Sequence, residues 1–99
     1  MPKAYCVYIL ASARNGTLYI GATSNLIQRM HQHKTEGADG FTKKYGVHLL
    51  AWFEQHESAM SMVTRERQLK EWKRAWKVEL IEQANPMWRD LYGDILGGA

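Results

Sequence analysis

The dipeptide Asn15-Gly16 separates two short runs with the composition of β-strands, and so small a chain satisfies both most simply as a hairpin. The first run, Ala4 to Ala11, is rich in aromatic and β-branched residues and reads as a strand buried on both faces. The second, Leu18 to Thr23, is the expected antiparallel return. Pairing across the turn brings Tyr8 and Tyr19 into one neighbourhood, with the register left open by the loop length. Each tyrosine on its own reads first as a core residue with a satisfied hydroxyl.

A helix is expected from Asn25 to about Lys34, with Ser24 as its N-cap. Asn25, Arg29 and His33 then fall at i, i+4 and i+8, a polar row beside Leu26 and Met30. Gly21 closes the preceding strand, and Tyr19 stands two residues before it. A tyrosine, a strand-closing glycine and an Arg-x-x-x-His pair are groups suited to handling an anion.

Glu-Gly-Ala-Asp-Gly marks a loop over Thr35 to Thr42, and Phe41 to Tyr45 reads as a short helical turn or a basic loop. Val47 to Glu54 is expected as a third strand, central or well covered. Ser58 should cap a long helix reaching about Lys73. On a helical wheel Ala59, Met62, Leu69 and Trp76 form one stripe, with Glu66 in its middle. A carboxylate there is costly unless paired. A salt bridge to an Arg or Lys, Arg29 among them, explains it as well as a hard-cation ligand or a general base does. Lys77 to Gln83 reads as a further helix, broken at Ala84-Asn85-Pro86. A last helical turn is expected over Met87 to Leu91, with Trp88 and Leu91 packing back, and a frayed tail from Asp94 to Ala99.

Composition narrows the class. At 99 residues, 45% hydrophobic and 23% charged, the chain is expected to be one domain (1–99) with an ordered core over about 4–91. No apolar run approaches the ~20 residues of a membrane-spanning helix, and no secretory segment opens the chain, so a cytoplasmic protein is expected. The single cysteine, Cys6, excludes an internal disulfide and a thiolate metal cluster. The four histidines do not cluster as a zinc site. Net charge is +3, and the cations Lys43, Lys44, Arg65, Arg67, Lys70, Lys73, Arg74 and Lys77 crowd the middle and second half. Such a distribution suits a polyanionic partner, and equally a solvated helix face. Of the four tryptophans, Trp52 and Trp76 are expected in the core, although exposed rings would suit base stacking.

Val7-Tyr8-Ile9, Tyr19-Ile20-Gly21, Arg29-x-x-x-His33 and Glu66 occur here in order, with Thr64 to Lys70 and Asn85-Pro-x-Trp-x-Asp-Leu91 beside them. This set resembles the GIY-YIG nuclease superfamily, and within it the small standalone bacterial UvrC-like (endo/excinuclease amino-terminal-domain) branch, from about Ala4 to Leu91. The resemblance implies an α+β fold, a three-stranded antiparallel sheet flanked by helices in the order β-β-α-β-α-α. It implies hydrolysis of nucleic-acid phosphodiesters, DNA ahead of RNA, with a single divalent cation, Mg²⁺ or Mn²⁺, in a monomer or weak homodimer. Tyr8 and Tyr19 match the two motif tyrosines, Arg29 the helix arginine, His33 the position four residues on, and Glu66 the metal-binding glutamate. Asn85 matches a phosphate-proximal asparagine, and Lys43, Lys44 and Lys70 are taken as substrate contacts. Two positions depart from the pattern: Cys6 replaces a leading glycine, and Ala22 stands where the DNA-repair members often carry lysine.

The residues suit these roles. Arg29 offers a permanently charged planar fork that matches phosphate. Glu66 can hold a well-hydrated cation through one carboxylate. Tyr8 is the expected base or base relay, His33 the group that takes its proton onward, and Tyr19 a positioning group. The alternative is a nucleic-acid- or partner-binding module with little turnover, since 99 residues leave no room for a separate DNA-binding domain. A structural domain with a buried Glu66–Arg29 ion pair is the third.

Overall fold

The computed structural model describes residues 4–35 and 45–97. Its elements are β1 (Tyr5–Ala11), β2 (Leu18–Thr23), α1 (Leu26–Thr35), β3 (Leu49–His56), α2 (Ala59–Glu71), α3 (Arg74–Ala84) and α4 (Tyr92–Gly97). The three strands form one antiparallel sheet in the order β2-β1-β3. The expected fold class holds, with one helix more at the C-terminal end. The apolar run of β1 is explained by its central place, which covers it by strands on both sides and helices on both faces.

Side-chain alternation sorts the core into two layers. Val7, Ile9 and Ala11 meet Ile20, Trp52, Leu69 of α2 and Ile81 of α3. Cys6, Tyr8 and Leu10 meet Leu50 and the α1 residues Leu26 and Met30. Cys6 therefore sits in ordinary strand, opposite Thr23 and Gln55, and burial pushes its thiol up, away from reactivity.

The hairpin is wider than a two-residue turn. Ser12 N–H donates to Thr17 O at 3.0 Å, and Asn15 adopts a left-handed backbone at φ 60. The N-cap of α1 is Asn25, not Ser24: Asn25 Oδ1 accepts from Gln28 N–H at 3.2 Å, while Thr23 Oγ1 accepts from Asn25 N–H at 3.1 Å. With both available, the amide oxygen reaches the third helical N–H and the helix starts one residue later. Ser58 caps α2 as expected, accepting from Ser61 N–H at 3.1 Å. The β3–α2 junction is fastened by His56, whose ring nitrogens lie 2.8 Å from Glu54 Oε1 and 3.0 Å from Ser61 Oγ. Arg65 donates to the same Glu54 oxygen at 3.2 Å.

Three expectations change. First, β3 begins at Leu49 and is an edge strand, with Val47 buried just before it. Its apolar character comes from the C-terminal segment covering that edge: Leu50 N–H donates to Asp90 Oδ1 at 3.2 Å, and Leu91 N–H donates to Leu50 O at 2.9 Å. Second, the helix after Ser58 stops at Glu71, because Trp72 is extended (ψ 149) and the chain restarts at Arg74. The apolar stripe therefore does not reach Trp76, which is 50% exposed, whereas Trp52 and Trp88 are core residues. Third, Met87 to Leu91 is not helical. Trp88 holds φ 55 in a turn closed by its N–H to Asn85 O at 3.0 Å, and the final helix runs over Tyr92–Gly97, taking in Asp94.

Asp90 ties this segment to α1. Lys34 Nζ donates to Asp90 Oδ2 at 2.5 Å and to His48 O at 2.9 Å, and Tyr92 N–H donates to Asp90 Oδ1 at 3.0 Å. Burial alone would push the Asp90 carboxyl up, but the Lys34 bond, the Tyr92 and Leu50 N–H bonds and the Lys34 charge together hold it below its ordinary value. A carboxyl lowered on folding adds stability above its unfolded pKa and loses it as pH falls through its folded pKa. In urea titrations, Asp90→Asn should lower the unfolding midpoint near neutral pH, and its difference from wild type should shrink below about pH 4.

Candidate active site

In the β1–β2 register Tyr8 lies opposite Gly21, and Leu10 opposite Tyr19. Tyr8 and Tyr19 therefore share a face two residues apart, which settles the register that the loop length left open. The Tyr8 ring lies directly on Gly21: a Cβ there would sit 2.4 Å from Tyr8 Oη and 2.5 Å from Cζ. Close approach, not backbone freedom, is what this position requires of glycine.

Because α1 starts at once after β2, its first two turns pass over the two tyrosines. Arg29 and His33, one turn apart, both reach Tyr8. Arg29 Nε donates to Tyr8 Oη at 3.4 Å, and His33 Nε2 lies 3.2 Å from the same oxygen. The His33 ring stands edge-on to both tyrosines, with centroids 5.9 Å from Tyr8 and 5.7 Å from Tyr19; the tyrosine rings are 6.5 Å apart. Tyr8 and His33 are each 1% exposed. Gln32, which the sequence reading passed over, accepts from Arg29 Nη1 at 3.3 Å. Its place three residues after the arginine on one helix face was the available signal. The Arg29 guanidinium is raised above its ordinary value by the hydrogen bond to Tyr8, partial burial opposing and the charge interactions with Tyr8 and Tyr19 adding to it. A fixed cation thus meets a phenol oxygen that also has an imidazole beside it, an arrangement able to stabilise negative charge and to pass a proton.

The other expected site residues lie elsewhere. Glu66 is on α2, whose buried Leu69 packs on the opposite layer of the sheet, and its side chain is 21% exposed. Among the described residues its ion-pair partner is Lys70, at 3.3 Å, and not Arg29. Lys70 is itself 55% exposed. Asn85, expected beside phosphate, is 3% exposed. Its Nδ2 donates to Ala51 O at 3.0 Å and to Arg89 O at 2.8 Å, and its Oδ1 accepts from Arg89 N–H at 3.0 Å. No amide hydrogen is left for a substrate, because the side chain joins β3 to the C-terminal segment. Lys43 and Lys44 lie outside the described residues.

The model of the GIY-YIG catalytic domain matches residues 4–79, which include both tyrosines, Arg29, His33 and Glu66. The chain belongs to the GIY-YIG family. Among its relatives, a UPF0213 protein of Syntrophus aciditrophicus (strain SB) is 39% identical over 88 residues, which span 87% of this chain and 97% of that one. The NMR solution structure of a UPF0213 protein from Bacillus halodurans superposes with a TM-score of 0.56 at 21% identity, covering 91% of this chain and 95% of the other. That likeness bears on the fold, and it extends past the family match to the GIY-YIG protein's C-terminal part. No helix among the described residues is long and apolar enough to cross a membrane.

Proposed function

We propose that this GIY-YIG protein hydrolyses phosphodiester bonds of nucleic acid, DNA ahead of RNA, with a single divalent cation, Mg²⁺ or Mn²⁺. The observation that carries this reading is the Tyr8 hydroxyl held between Arg29 and His33. Tyr8 acts as base or base relay for the attacking water, with His33 Nε2 accepting the phenol proton in its neutral form. Arg29 stabilises the charge left on the tyrosine oxygen and meets the phosphoryl oxygens. Tyr19, on the same face, positions the water or the phosphate.

Glu66 is the residue to hold the cation. Among the described residues no three His, Cys, Asp or Glu side chains form a cage. A lone carboxylate fits a cation that keeps most of its water and takes a further oxygen from substrate. A cation held by Glu66 would supply polarisation of the phosphate and stabilisation of the leaving alkoxide. Lys43, Lys44 and Lys70 are the lysines this reading assigns to the substrate phosphates.

The Glu66–Lys70 pair also favours a second reading, a binding module whose carboxylate stays neutralised and which turns over little. Purified Arg29→Ala and Glu66→Ala decide between them. On a labelled oligonucleotide with Mg²⁺, each should lose on the order of 10²-fold in cleavage rate while keeping the wild-type unfolding midpoint. Cleavage undiminished in both would remove these residues from the site.

A further inference from the structure

Where α2 gives way to α3, Trp72 and Trp76 meet edge to face, with centroids 6.0 Å apart and planes at 86°. Trp76 remains half exposed although its indole is held in place from the side. Together with Leu80 the two rings wall a pocket of about 290 Å³, with Glu79 and Gln83 at its polar side. Lys73 Nζ lies 5.6 Å from the Trp76 ring centre, and Arg65 covers Trp72 at 5.2 Å. Among the described residues neither Lys73 nor Lys77 pairs with a carboxylate; Lys73 precedes the first turn of α3 and Lys77 follows Trp76 within it. This surface shares no residue with the Tyr8–Arg29–His33 cluster.

A fixed, half-exposed indole with the unpaired Lys73 at its ring and Lys77 next to it in the chain suits a flat aromatic ring on a polyanionic chain. Glu79 inside the pocket repels phosphate but accepts hydrogen bonds from an exocyclic amino group. The pocket therefore suits a base, and the lysines beside it suit its phosphates. We propose that the Trp72–Trp76 pocket captures one unpaired nucleobase of a single-stranded nucleic-acid segment, with Lys73 and Lys77 on the adjoining phosphates. The inference rests on nucleic acid being the substrate, and it makes that substrate one with an unpaired base. A fully paired duplex has no base to offer the pocket.

The test is binding of a fluorescein-labelled 12-nucleotide mixed-sequence DNA, alone and annealed to its complement, followed by anisotropy. Trp76→Ala should weaken single-strand binding about ten-fold and leave duplex binding within two-fold. Trp76→Phe should restore most of the loss. In the Lys73→Gln, Lys77→Gln double variant the slope of log affinity against log salt should fall by about 1.4 for the single strand. Because Trp76 is half exposed its truncation is not expected to unfold the chain; if it does, the lysine variant decides alone. Equal losses on both DNAs, no loss, or an unchanged salt slope would overturn the proposal. So would a wild-type dimer that Trp76→Ala converts to monomer, which would make a second copy the occupant. Duplex binding without single-strand binding sinks the pocket only, whereas no binding to either DNA sinks the nuclease reading as well.

Discussion

Gly21→Ala is expected to disable the site without touching a charged residue. The added methyl would lie 2.4 Å from Tyr8 Oη, 2.5 Å from Cζ and 2.9 Å from Cε2, well inside contact distance. The ring has nowhere to retreat, since Tyr8 is buried beneath α1 with Met30 and His33 around it. Either the ring tilts and loses Arg29 and His33, or β2 moves away from β1. Overpacking of this kind costs about 1–3 kcal/mol, seen as a lower urea midpoint. Cleavage should fall as far as in Arg29→Ala, because the phenol oxygen leaves both partners. The two consequences separate in a double variant: adding Tyr8→Leu to Gly21→Ala removes the ring end that clashes, so stability should return in part while cleavage stays lost. A Gly21→Ala protein with wild-type stability and activity would show that the Tyr8 ring does not rest on this strand.

The second large effect belongs to Asn85. Asn85→Ala leaves the buried carbonyl of Ala51 without its partner and removes two part-buried bonds to the backbone of Arg89. A buried polar group left unpaired costs about 1–3 kcal/mol, and a loss of that size is expected from Ala51 O. Asn85→Asp should fare little better, since the carboxylate cannot donate to Ala51 O. The loss should appear in the unfolding midpoint, with cleavage at low temperature falling only as the folded fraction falls. A stable Asn85→Ala protein that does not cleave would return Asn85 to the phosphate.

Much of the hairpin and of the polar row on α1 was legible because both follow from local periodicity. The Asn15-Gly16 turn brings Tyr8 and Tyr19 into one neighbourhood, although the face they share needed the register, and a helical turn separates Arg29 from His33. Family resemblance supplied the roles, and the family match agrees with the membership. What was not legible depends on contacts distant in the chain. The apolar run of β3 is the same whether a strand or the Asn85–Leu91 segment covers its edge, so the sequence left central and well covered open, and the second is what the structure has. Helical spacing put Glu66 between Met62 and Leu69 and left its partner open; the structure keeps it partly buried there and pairs it with Lys70, one turn away. Asn85 carries the same side chain whether it faces a phosphate or the carbonyl of Ala51. Gln32 was missed because its partner is the arginine on its own helix and not a substrate group.

The central claim, that the Tyr8–Arg29–His33 cluster and Glu66 cut a phosphodiester, is tested most directly by single-turnover cleavage with the wild-type protein in excess over end-labelled DNA. Single-stranded, duplex and partly unpaired substrates should be compared with Mg²⁺, with Mn²⁺ and with EDTA. The expected result is cleavage with either cation, none with EDTA, and none with Arg29→Ala over the same interval. Bound but uncut DNA at saturating metal, on every substrate, would contradict the claim and leave the protein a nucleic-acid-binding module.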